Sequence, residues 1–138
     1  MADAGPQKLA QLKTISPQFV VPDVKVAAEY YRDMFGFKIL GYFQEPPVYA
    51  IVQRDDVAIH FGQADHGHGA SPNAGRRAGS LDAYIWVTDV DALNAELASR
   101  GAKIVEGPMK TVYECYEIVV EDRFGFRLTF GMDISGKA

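Results

Sequence analysis

Little in this chain points to the chemistries most easily read from sequence. A single cysteine, Cys115, excludes an intrachain disulfide and fits a reducing, cytoplasmic setting. No apolar run approaches the roughly 20 residues that a membrane-crossing helix needs, so a membrane partner is not expected. The first residues, with Asp3, Gly5, Pro6, Gln7 and Lys8, lack the basic-then-apolar order of a secretory signal. Basic clusters are missing too. Arg76-Arg77 is a lone pair in a Gly-rich stretch and the net charge is −4, which argues against a nucleic-acid partner. What remains is 138 residues, 48% of them hydrophobic, enough for one soluble domain with a real core.

What the chain does have is a repeat. Val21-Pro22-Asp23-Val24, a helical run to Phe35, and Gly36-Phe37-Lys38-Ile39 form the first copy. Val87-Thr88-Asp89-Val90, a helical run to Arg100, and Gly101-Ala102-Lys103-Ile104 answer it in the same order. A strand, an Asp-capped helix and a Gly-stopped return strand therefore occur twice, at a period of about half the chain. This implies a duplicated domain with a pseudo-two-fold axis, and the junction between the halves is the natural place to look for a site.

The spacing predicts strands over 14–21, 37–43, 48–54 and 57–62, with Val26, Ala27, Tyr30, Tyr31, Met34 and Phe35 on one helix face. The second half predicts strands over 81–88, 103–106, 112–121 and 126–132, with Gly107-Pro108 ending the short one. The division expected is an arm over 1–13, a βαβββ module over 14–63, and a Gly-, Ser- and His-containing linker over 64–80. A second module over 81–132 and a tail over 133–138 follow. The arm is read as mobile or briefly helical, docking on a partner subunit. Fold class is α+β, two modules forming a curved, cup-shaped mixed sheet with helices on its convex side.

Side chains alternate along a strand, so Asp82, Tyr84 and Trp86 share one face while Ala83, Ile85 and Val87 share the other. The aliphatic set suits the helix side, which leaves Asp82, Tyr84 and Trp86 for the concave side. By the same parity Ala58, His60, Arg127 and Thr129 face the cup. Tyr42, Tyr49, Tyr113 and Tyr116, near strand ends, are expected at its rim. Such a surface stacks on flat rings and attracts cations, at about 0.5–2 kcal/mol per contact. The ligand-binding set is therefore His60, Asp82, Tyr84, Trp86, Tyr49, Tyr113 and Arg127. Glu114 and Glu117 receive no role. Cys115 is read as a buried structural thiol, because no base lies near it in sequence. His66 and His68 fall in the Gly-rich linker and are read as solvated.

The segments Val24 to Ile39, Asp55 to Phe61, Ala83 to Leu97 and Glu121 to Arg127 resemble the vicinal oxygen chelate superfamily. That superfamily holds glyoxalases, extradiol dioxygenases and antibiotic-resistance proteins. The pattern Asp55-Asp56-Val57 followed by Tyr84-Ile85-Trp86-Val87 is most similar to its bleomycin-resistance-type members. These imply a homodimer with a drug-binding cleft and no catalytic metal. Metal-dependent members carry one ligand on each of four strands, and the resemblance lays those positions on Ser16, His60 (or Ala58), Asp82 and Thr129. Neutral hydroxyls are poor ligands for Zn, Ni or Fe, so at most His60 and Asp82 remain as weak metal candidates. No cofactor is expected. The function anticipated is metal-free binding of a planar or cationic small molecule, with a metal-dependent lyase or dioxygenase as the alternative.

Overall fold

The structure, a computed structural model, describes residues 5–136. The N-terminal arm expected over 1–13 lies partly outside the described residues, and so does the end of the C-terminal tail. From residue 5 to Pro17 the chain forms neither helix nor strand. The first module then runs β1 (Gln18–Val21), α1 (Val24–Phe35), β2 (Lys38–Phe43), β3 (Tyr49–Arg54) and β4 (Val57–Gln63). The second runs β5 (Ala83–Trp86), α2 (Val90–Arg100), β6 (Lys103–Lys110), β7 (Cys115–Glu121) and β8 (Arg127–Asp133). Between them a single 3-10 turn, Asn73–Gly75, interrupts an otherwise irregular segment.

The repeated caps behave as their chemistry requires. The Asp23 carboxylate accepts from the backbone N–H of Lys25 and Val26, and that of Asp89 accepts from Ala92. Each satisfies N–H groups that the first helical turn leaves without a partner. Gly36 and Gly101 both close their helices in the left-handed region, at φ 74° and 84°, where a Cβ would be strained.

Each module forms its own four-stranded mixed sheet, in the orders β1-β4-β3-β2 and β5-β8-β7-β6. The strand after each helix is antiparallel to its neighbour, and β1 on β4 and β5 on β8 are the parallel pairs. The α+β architecture of two βαβββ modules is thus the one expected. Several strand ends differ, with β1, β5 and β7 starting later than expected. The strand expected to end before Gly107-Pro108 continues to Lys110, because two register shifts let β6 stay paired with β7 across that dipeptide.

The modules meet through their helix-bearing sides. Phe19 from β1 stacks on Phe126 at the entry to β8, with centroids 4.6 Å apart and the planes nearly parallel. The fully buried Tyr31 of α1 donates to Asp122 Oδ2 in the β7–β8 turn at 2.8 Å. Arg54 at the end of β3 makes a two-pronged contact to Glu96 of α2, at 2.6 and 3.0 Å. Val21, Val24, Ile59, Phe61, Val90, Leu97, Ile118 and Leu128 belong to one continuous core. The junction between the halves is therefore filled. The opposite faces of both sheets point outward, which is where Val20, Phe43, Trp86 and Tyr113 expose their side chains.

Candidate functional site

The outward face of the second sheet carries the densest polar constellation. On β7 the sequence Cys115-Tyr116-Glu117-Ile118-Val119-Val120 sends Ile118 and Val120 to the core, so Cys115, Glu117 and Val119 take the outward face. Glu117 is nonetheless only 2% exposed. Its carboxylate is covered by phenols. Tyr84 donates to Oε2 at 2.6 Å, and Tyr113 lies 2.9 Å from Oε1 and 2.8 Å from Oε2.

A glycine makes this geometry possible. Gly131 of β8 pairs with Glu117 on one side and with Trp86 on the other. The Tyr84 phenol lies over it, so a Cβ at Gly131 would sit 1.9 Å from the Tyr84 hydroxyl. Tyr84 thus reaches from β5 across β8 to a carboxylate on β7. Burial pushes its phenol well above the ordinary tyrosine range, with the Glu117 and Cys115 side chains adding to that shift. Tyr113, on the turn before β7, is shifted upward as well, chiefly by its bond to Glu117. Trp86 leans on Tyr84 at 4.8 Å between centroids and leaves 64% of its surface open. Cys115 is buried, as expected.

The first sheet's outward face holds a smaller relay. Gln18 Nε2 donates to the Tyr49 hydroxyl at 3.1 Å, and that oxygen lies 2.8 Å from His60 Nδ1. His60 and Tyr49 are therefore brought together as a pair, on a different sheet from Tyr84, Trp86 and Tyr113.

Two expected residues are engaged elsewhere. The Asp82 carboxylate accepts from the backbone N–H of Asn73 and of Arg127, both at 2.9 Å, and so pins the inter-module segment to the start of β8. Arg127 bonds Glu121 at 3.3 Å, and Lys103 bonds that same carboxylate, holding it below the usual glutamate range. Tyr42 packs against the core, and Tyr116 reaches Asp91 at the start of α2 at 2.6 Å. Both tyrosines therefore leave the rim. Parity would have shown this for Tyr116, which alternates with the outward-facing Cys115 and Glu117.

The residues at the superfamily's metal positions do not fit an ion. Ser16 is exposed on the irregular arm, and Thr129 is a buried hydroxyl. His60 Nδ1 is already engaged with the Tyr49 hydroxyl at 2.8 Å, which leaves it one ring nitrogen for any other partner. Both oxygens of Asp82 already serve backbone donors. Among the described residues no three His, Cys, Asp or Glu side chains converge as a metal-binding group.

Glu117 was not legible as a site residue. Strand β7 is buried on both faces, which hides the alternation that normally separates a functional face from a core face. The available signal was the carboxylate itself, standing in an apolar strand.

Comparison with known proteins fits this architecture. Solved structures with the same fold include a glyoxalase/bleomycin resistance protein/dioxygenase from Nocardioides. It is 14% identical, with 94% of this chain and 88% of that one covered and a TM-score of 0.65. TioX from Micromonospora sp. ML1 is 16% identical over 87% of this chain and 98% of its own, at a TM-score of 0.67. UcmS2 is 15% identical over 88% and 98%, at 0.69. No curated protein sequence matches the chain significantly. The sequence model of the Glyoxalase/Bleomycin resistance protein/Dioxygenase superfamily matches residues 11–130. The chain belongs to that superfamily.

Proposed function

We propose that this protein binds a planar small molecule, antibiotic-like in its flat aromatic character, without a catalytic metal. The carrying observation is the outward face of the second sheet. Trp86 is left open there, Tyr84 leans on it, and a carboxylate is held beneath the Tyr84 and Tyr113 phenols. An exposed indole beside the tilted Tyr84 phenol offers a stacking surface, and stacked aromatic contacts contribute about 0.5–1.5 kcal/mol each beyond burial. His60 and Tyr49 supply polar contacts from the first sheet.

Because the two outward faces turn away from each other within one chain, a closed cleft needs a second copy. We read the protein as a homodimer in which the Trp86 face of one chain meets the His60 face of the other. The open apolar arm, with Leu12 at 102% exposure and Leu9 and Ile15 similarly bare, supports that reading. Asp82 and Arg127 act in it by shaping the loop and strand behind the site.

The metal-free part of the reading is tested by elemental mass spectrometry after loading with Zn, Ni, Mn or Fe(II) and dialysis. The expected result is no stoichiometric ion, in wild type or in His60→Ala. One tightly held ion per chain, lost on His60→Ala, would overturn it and send the work to lyase and dioxygenase assays.

A further inference from the structure

Glu117 is unusual for a buried carboxylate. Such a group is ordinarily paired with a cation, because removing a charge from water costs several kcal/mol even after relaxation. None of the ion pairs among the described residues involves it. Its neighbours are neutral instead. The Tyr84 and Tyr113 hydroxyls cover both of its oxygens. The arrangement buries the Glu117 side chain under two hydroxyls with no ion-pair partner among the described residues.

The cover is asymmetric. Tyr84 is fixed from below by Gly131 and by packing on Trp86. Tyr113 stands on the turn between β6 and β7 and is 60% exposed. Rotation of Tyr113 outward would uncover Glu117 beside the open face of Trp86, with the Tyr84 bond kept.

We propose that Glu117 is an anionic subsite for a positively charged nitrogen on the ligand, an ammonium or guanidinium carried next to a flat ring. The ring stacks on Trp86 while the cation takes the place that Tyr113 vacates over the carboxylate. The inference rests on the aromatic-face reading above and adds the charge of the ligand and the residue that selects it.

Two matched probes separate the parts. Benzylammonium and benzyl alcohol have the same ring and nearly the same shape, and at pH 7 they differ in charge. Their binding to the full chain is followed through the indole N–H signal of Trp86, the chain's one tryptophan. Wild type is expected to bind benzylammonium about tenfold more tightly, the scale of one charge-assisted hydrogen bond with a cation–π contact. Glu117→Gln keeps the shape and the acceptor oxygen. It should bring the ratio to within about twofold, with benzyl alcohol unchanged. Tyr113→Phe leaves the carboxylate in place and should keep the preference. Equal affinities in wild type, or a preference that survives in folded Glu117→Gln, overturn the cation subsite and leave the aromatic face standing. If neither probe shifts the Trp86 signal, the aromatic-face reading falls with it.

Discussion

Gly131 decides what the second sheet can present. Its missing side chain is the space the Tyr84 phenol occupies, and the Tyr84–Glu117 bond at 2.6 Å depends on that space. Gly131→Ala would place a methyl carbon 1.9 Å from the hydroxyl, so the phenol must leave and the Glu117 Oε2 loses a donor. Overpacking of this kind costs about 1–3 kcal/mol. The expected outcome is a urea midpoint lowered accordingly, together with altered Trp86 fluorescence, since Trp86 rests on Tyr84. An unchanged midpoint and spectrum would show that Tyr84 has another place to go. His60 has a comparable local logic. Its ring is oriented by Tyr49, which is in turn held by Gln18.

At the scale of elements, the contact between α1 and the β7–β8 turn joins the two modules through Asp122. Burial raises that carboxyl from 3.8 to about 6, against the opposing pull of Tyr31 and of the backbone N–H groups of Phe124 and Phe126. The folded state therefore holds a proton more readily than the unfolded state. The stabilisation is full below about pH 4 and is lost as pH rises through about 6, an integrated change of about 3 kcal/mol. Asp122→Asn keeps an acceptor for the two N–H groups and turns an amide donor toward the Tyr31 oxygen. Its stability relative to wild type should rise between pH 4 and pH 6 and level off above that. Chemical denaturation at pH 4.5, 5.5 and 7 checks this, and a constant difference across the three would contradict it. A second joint, Arg54 with Glu96 and Arg100, lies at the other end of the helices. There Arg54 also donates to the Phe35 carbonyl at 2.9 Å, which places a cation at the negative end of α1.

The elements themselves were largely legible in the sequence. The Asp caps, the Gly stops and the duplicated order fix two βαβββ units without reference to tertiary contacts, because each is a local backbone requirement. Strand ends were less legible. The first strand begins at Gln18 instead of Thr14, since Pro17 offers no N–H for the ladder and the chain departs there. For the site, parity placed Tyr84 and Trp86 on the outward face. It could not reveal that Asp82 serves the backbone, because that depends on where Asn73 and Arg127 fold back. Nor could it single out Glu117, whose strand is buried on both sides.

At the scale of the whole molecule, one chain shows two outward sheet faces and an arm with bare Leu9, Leu12 and Ile15. Sedimentation velocity of the full chain is expected to give a dimer. Replacing Leu9, Leu12 and Ile15 by serine should weaken it at least about tenfold, since covering even part of three such side chains contributes more than 1.4 kcal/mol. A monomer in the wild type, at concentrations where it binds ligand, would mean that one outward face suffices.

The central claim is that the Trp86 face binds a flat molecule without a metal. Calorimetric titration of a planar aromatic ligand tests it most directly, using chelator-treated wild type and Trp86→Ala side by side. The account predicts binding that is indifferent to the chelator and weaker by about 1–3 kcal/mol in Trp86→Ala, the cost of losing a central aromatic contact. Binding that appears only after an ion is restored, or that survives undiminished in Trp86→Ala, would contradict it.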